Sequence, residues 1–159
     1  MDRITFQKVT TCEYPSLFSI YKKYLYPAVE ISFGWNEEYQ TNRFISSYKK
    51  EWFEWVMFNG ERLGFICTNQ EEATAHIHLL IVFDKYQKKG VGSAVIKYYQ
   101  QLYSDRVTKC RLSAFKSTQQ VVDFYLSLGY KIVNEDKYFF DMERSLCFNG
   151  YLGTKDKYI

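Results

Sequence analysis

The spacing of apolar and polar residues switches between a period of two and one near 3.6 several times along the chain. Residues 3–9 alternate as a short strand does. Pro15 then opens a helical stretch over 16–26, with Leu17, Ile20, Tyr21, Tyr24 and Leu25 at helical spacing. Pro27 is expected to end it, because proline lacks an N–H and crowds the preceding turn. Residues 30–35 are expected to be irregular. Asn36 is expected to cap a second helix through about residue 50, with Glu37 and Glu38 in its first turn.

Strands follow over 52–58 and 62–68, flanking Asn59-Gly60, a dipeptide suited to the positive φ angles of a tight hairpin. A third strand of this meander runs over 74–83. The next helix, 90–103, carries Val91, Ala94, Val95, Tyr98 and Leu102 on one face. Residues 107–116 read as a strand. Ser117 and Gln120 form a potential capping box for a helix that runs to residue 128, with Gly129 as its terminator. Strands over 130–134 and 138–144 complete the domain, 1–144, and residues 145–159 read as a partly ordered tail. This order predicts an α+β fold in α/β/α layers: a central mixed, mostly antiparallel sheet of about seven strands with four helices on its two faces.

Composition narrows the class. A chain of 159 residues with 47% apolar and 19% aromatic content makes one domain with a real core. The net charge of +3 is modest and interspersed, so neither nucleic acid nor a membrane surface is an expected partner. The longest apolar run, 77–83, is far too short to span a bilayer, and the first residues lack a secretory profile. Cys12, Cys67, Cys110 and Cys147 are scattered, as reduced thiols of a cytoplasmic protein would be. The aromatic content leaves a homodimer open.

The chemistry concentrates where the third meander strand empties into a helix. Gln87-x-x-Gly90-x-Gly92 opens that helix, and a helix start gathers free N–H groups at the positive end of the helix dipole. Glycine lets an anion approach the backbone closely, so the turn is a seat for a phosphate-bearing cofactor. A dinucleotide fold is excluded by Val95 at the third glycine position and by the meander preceding the turn. A P-loop is excluded because G-x-x-x-x-G-K-[ST] is absent.

Gln87-Lys88-Lys89-Gly90-Val91-Gly92 resembles the Q/R-x-x-G-x-G/A signature of the GNAT acyl-CoA-dependent N-acetyltransferases. Leu80-Ile81-Val82-Phe83-Asp84-Lys85-Tyr86 resembles that family's central strand and following turn, with Asp84 where proline is frequent. Phe124-Tyr125-Leu126-Ser127-Leu128-Gly129-Tyr130 resembles its F-Y-x-x-x-G-F/Y motif at the expected distance. Gly34-Trp35-Asn36-Glu37-Glu38 is similar to a feature of small bacterial members. Thr118 and Val121 depart from the Asn and Ala that many members carry on the last helix, and the Thr118 hydroxyl can partly replace the lost polar contact.

The resemblance implies acetyl-CoA as cosubstrate, without a metal, and transfer of acetyl to a primary amine by direct attack in a ternary complex. It implies that the backbone of Leu80, Ile81 and Val82 pairs with the pantetheine arm. It also implies that Gln87 and the N–H groups of Lys88, Lys89, Gly90, Val91, Gly92 and Ser93 hold the diphosphate. Tyr125 is implied as the group that protonates or hydrogen-bonds the departing sulfur. His76 and His78, two apart on a strand, share a face and resemble the histidine pair of the arylalkylamine N-acetyltransferases, which relays a proton from the amine. Glu30, Trp35, Glu37 and Glu38 are candidates for binding a cationic amine. The acceptor class, small molecule or peptide, stays open. Two other readings compete: a non-catalytic acyl-CoA sensor, and a cysteine-nucleophile acyltransferase using Cys67 or Cys110.

Overall fold

The structure is a computed structural model in which residues 3–146 are described. The expected tail therefore falls outside it from residue 147 onward. Seven strands form one sheet in the order β1-β2-β3-β4-β5-β7-β6. They are β1 (Thr5–Lys8), β2 (Phe53–Phe58), β3 (Glu61–Glu71), β4 (Thr74–Val82), β5 (Lys109–Phe115), β6 (Lys131–Glu135) and β7 (Phe139–Ser145). Every neighbouring pair is antiparallel except β4 and β5. Four helices cover it: α1 (Leu17–Phe33), α2 (Glu37–Ser47), α3 (Val91–Tyr103) and α4 (Gln119–Ser127). This is the α+β architecture expected from the sequence. The strand β7 reaches Ser145 and Leu146 is buried, so the folded domain extends two residues past the expected boundary at 144.

Local chemistry accounts for most of the element ends. Asn59 and Gly60, with φ of 51° and 78°, turn β2 into β3 as a two-residue hairpin does. Asn36 accepts the N–H of Tyr39 on its side chain at 2.8 Å and so caps α2.

Three local expectations fail. Pro27 lies inside α1, which continues to Phe33 and closes at Gly34, φ 82°. The ring removes one helical hydrogen bond, a cost of ~3 kcal/mol. Complete burial of Val29 and the packing of the turns on both sides offset it. The segment expected to be irregular is therefore mostly helix. The α3 face is rotated by about one residue: Val95, Ile96, Tyr99 and Gln100 are buried, while Leu102 is exposed. Both alternatives satisfy a 3.6 period, and the sheet beneath selects between them. Finally, Thr118 is the N-cap of α4 and makes no side-chain cap bond, so Ser117 and Gln120 form no capping box.

Two apolar layers sandwich the sheet. One packs Val95, Ile96, Tyr99, Val122 and Tyr125 of α3 and α4 against Val56, Ile66, Ala75, Ile77, Cys110, Leu112, Ala114 and Met142. The other packs Leu17, Tyr21 and Phe44 of α1 and α2, with Tyr48, against Phe53, Trp55, Phe65, Cys67, Leu79 and Ile81. No helix among the described residues is long and apolar enough to cross a membrane.

Candidate active site

The strand β4 changes character halfway along. Against β3, Cys67 pairs with Leu79 and Thr68 with Ile77, which leaves His78 as an extra residue, a β-bulge. A bulge shifts the alternation by one position. Accordingly Ala75 and Ile77 point into the α3/α4 layer, whereas Leu79 and Ile81 point into the α1/α2 layer. The parallel pairing of β4 with β5 also stops here, at Ile77 opposite Leu112. Beyond that point the strands separate and the β5-facing edge of residues 78–82 has no strand partner among the described residues.

A cleft of about 960 Å³ opens at this separation. Its walls include Leu80, Ile81, Val82, Gln87, Thr118 and Tyr125, and also His76, His78, Tyr48, Arg43, Arg111 and Asp141. Three glycines shape it. Gly90 adopts the left-handed conformation, φ 81°, and caps α3 without a side-chain bond. Backbone hydrogen bonds of this loop end with the Gln87 N–H on Asp84 and resume with the Ala94 N–H on Gly90. The N–H groups from Lys88 to Ser93 lie between them and make no such bond among the described residues, as an anion seat requires. Gly92 plays a different part, because a Cβ there would sit 3.1 Å from the Phe124 ring. It permits α3 and α4 to approach closely, so a bulky residue at 92 strains the fold as well as the seat. Gly64, which the sequence reading passed over, is the tightest: a Cβ would lie 1.9 Å from the Ile81 carbonyl oxygen. Its signal was a glycine in the middle of a predicted strand, which marks close backbone approach.

Side chains complete this end of the cleft. Gln87 donates through Nε2 to the Val82 carbonyl at 2.8 Å and ties the loop to the end of β4, so that carbonyl is already engaged. Tyr125 is buried between Phe124 and Tyr130, at ring distances of 4.9 and 5.4 Å. Tyr125 lines the cleft, and its hydroxyl has no internal hydrogen-bond partner among the described residues. Burial pushes that hydroxyl's pKa well above the ordinary tyrosine value, so it stays protonated.

At the other end, the His76 and His78 rings stack 6.1 Å apart, on one face as their spacing predicts. His78 also stacks on Trp52 at 5.0 Å and lies 5.9 Å from Tyr48. Its Nε2 is 2.5 Å from Asn69 Oδ1. With that oxygen accepting, Nε2 carries the hydrogen and Nδ1 keeps its lone pair. Burial, and then the neighbouring His76, hold the His78 pKa below the ordinary imidazole value, so the ring is neutral at pH 7.

The other sequence candidates sit elsewhere. Glu37 accepts from Trp35 Nε1 and pairs with Lys22, both at 2.8 Å, while Glu30 accepts the Trp35 N–H at 3.2 Å. Trp35 packs on Phe18, Tyr21 and Tyr26, and Glu38 is exposed. These four close the α1–α2 junction and are not among the cleft's lining residues. Cys67 and Cys110 are fully buried, and burial raises both thiols, Cys110 to about 11. Neither forms a thiolate nucleophile at neutral pH.

Known proteins share this fold. Residues 35–143 match the model of the acetyltransferase (GNAT) domain. No curated protein matches the sequence. Among solved structures, the PaiA N-acetyltransferase of Thermoplasma acidophilum in complex with coenzyme A superposes with a TM-score of 0.65 at 18% identity, covering 89% of this chain and 98% of that one. The ribosomal-protein-S18-alanine N-acetyltransferase of Escherichia coli gives 0.61 at 18% identity, with 90% and 94% covered. Arabidopsis thaliana Naa50, in complex with the bisubstrate analogue CoA-Ac-MVNAL, gives 0.62 at 17% identity, with 89% and 98% covered. At such identities the structural likeness establishes the fold, and the domain match over most of the chain establishes that this protein belongs to the GNAT acetyltransferase family.

Proposed function

We propose that the protein is an enzyme that transfers acetyl from acetyl-CoA to a primary amine, with both substrates bound at once and no covalent intermediate on the chain. One observation carries this reading: among the described residues the β5-facing edge of 78–82 has no strand partner, lines a cleft together with Tyr125, and leads past Gln87 to six consecutive N–H groups, Lys88 to Ser93, that make no backbone bond. Such a track matches a long ligand with amide groups along its arm and a diphosphate at its end. Solved relatives of this fold contain coenzyme A or a CoA bisubstrate analogue.

Acetyl-CoA supplies an activated acetyl thioester. The chain's residues then bind, orient and manage protons. Leu80 and Ile81 offer backbone groups to the arm. The N–H groups from Lys88 to Ser93 surround the diphosphate, helped by the charges of Lys88 and Lys89, and Thr118 adds a hydroxyl. The amine nitrogen bonds to the acetyl carbon as the carbon–sulfur bond breaks. Its proton passes to His78 Nδ1, directly or through His76 or water. Tyr125 stabilises the departing sulfur by donating a hydrogen bond. Its raised pKa exceeds that of a thiol near ~8.5, which makes complete proton transfer unfavourable.

Thiol release from acetyl-CoA, measured across a panel of primary amines, tests the reading. Amine-dependent release is expected, with kcat lowered about 10²-fold in Tyr125→Phe. Tight acetyl-CoA binding with no release for any amine would instead favour the non-catalytic sensor. This site is proposed to act within the cytoplasm.

A further inference from the structure

Among the described residues, three charged side chains line the cleft: Arg43, Arg111 and Asp141. Arg111 is neutralised by the protein, with Nε 3.1 Å from Glu143. The other two are not. Asp141 accepts from the Ser113 hydroxyl at 2.7 Å and has no cationic partner among the described residues. Arg43 on α2 is half-buried and has no carboxylate partner among the described residues. Its guanidinium lies 3.3 Å from the Tyr48 hydroxyl and 5.8 Å from the Tyr48 ring centre, with Tyr21 and Tyr39 also near.

A half-buried guanidinium surrounded by tyrosines keeps a planar fork of donors that neutral hydroxyls cannot neutralise. A carboxylate can engage two of those donors at once. The position is informative too. Tyr48 touches both Arg43 and His78, so the free cation stands one aromatic ring away from the histidine pair. The free anion stands across the opening. Ser113 follows Leu112, the register partner of Ile77, and Asp141 pairs with Ser113, which places it two strands from His78, at least on the order of 10 Å because β4 and β5 separate beyond Ile77. The histidines thus lie between one unpaired positive and one unpaired negative charge.

We infer that the acceptor is a small zwitterion of amino-acid type, whose carboxylate docks on Arg43 while its ammonium group enters between His78 and Asp141. This rests on the acetyltransfer reading above and names its substrate class. A polycationic amine would bring positive charge against Arg43 and gain nothing from it. The neutral amide of an amino acid would leave the guanidinium unmatched.

The test is thiol release from acetyl-CoA with a set of L-amino acids, each beside its own carboxamide, and with spermidine. At least tenfold higher kcat/KM for the preferred amino acid than for its amide is expected. In Arg43→Gln that ratio should fall toward one, through the KM of the acid, and Arg43→Lys should restore it only in part. Thermal unfolding of each variant confirms that it is folded. Preference for spermidine or for the amides, or equal losses for acid and amide in Arg43→Gln, would overturn the inference while leaving acetyltransfer in place. Absence of turnover with every amine would remove both readings together.

Discussion

The two halves of β4 make the sharpest contrast in the molecule. Thr74–Ile77 are hydrogen-bonded to a strand on each side, and their apolar side chains enter the α3/α4 layer. Among the described residues, 79–82 keep only β3 as a partner, and Leu79 and Ile81 enter the opposite layer. One extra residue, His78, separates the regimes. A single strand can thus be structural at one end and leave an edge free for a ligand at the other, provided a bulge lets both ends keep their apolar side chains buried.

Deleting His78 should break this contrast most severely. Without the bulge, either Leu79 and Ile81 leave their layer or β4 loses register with β3. Returning two such side chains to water costs about 3–6 kcal/mol, comparable with the whole stability of a small domain. Denaturant unfolding should show little folded protein, whereas His78→Gln, which keeps the residue count, should remain folded.

Gly64→Ala should be the next largest. Its Cβ would press on the Ile81 backbone, so a loss of ~3 kcal/mol in urea unfolding is expected. Acetyl-CoA affinity, measured by calorimetry on the folded fraction, should fall as well because the free half of β4 has to move. Ala75→Leu provides the counterpart, overpacking the doubly paired half by about 1–3 kcal/mol with affinity retained. Equal effects of the two on affinity would erase the distinction between the halves.

The smallest effect is in pH. The folded-state pKa of His78 lies below its unfolded value, so the neutral ring is the form the fold favours. Its contribution to stability is complete above about 6.5, the unfolded value, and is lost as pH falls through the lower folded value. The urea midpoint of the wild type should therefore decline more steeply below pH 6.5 than that of His78→Gln. Parallel declines would mean that the bulge histidine is not buried as neutral imidazole.

How much could be read in advance follows the same division. The hairpin at Asn59-Gly60, the cap at Asn36 and the glycine turn are local, and each fixes its own geometry through short-range backbone preferences. The glycine turn beside the cleft was legible for that reason. The bulge was not, because the residues that follow His78, 79–83, are all apolar, and a run without alternation carries no mark of the shift. Nor was Arg43. It shares the polar face of α2 with Tyr39, Gln40 and Ser47, a pattern that reads as solvent-facing until β4 and β5 open beneath it. Glu37 and Trp35 misled in the opposite sense. Their residue types suit amine binding, yet they are satisfied by one another and by Lys22.

The contact between Gly92 and Phe124 reaches further than helix packing. Gly92 belongs to the proposed diphosphate seat, and Phe124 immediately precedes Tyr125, the proposed partner of the sulfur. A direct touch between two helices therefore sets the span from anchor to reacting end, like the fixed jaws of a caliper. Ligands whose arm is one or two bonds too long or too short would grip at one jaw and miss the other.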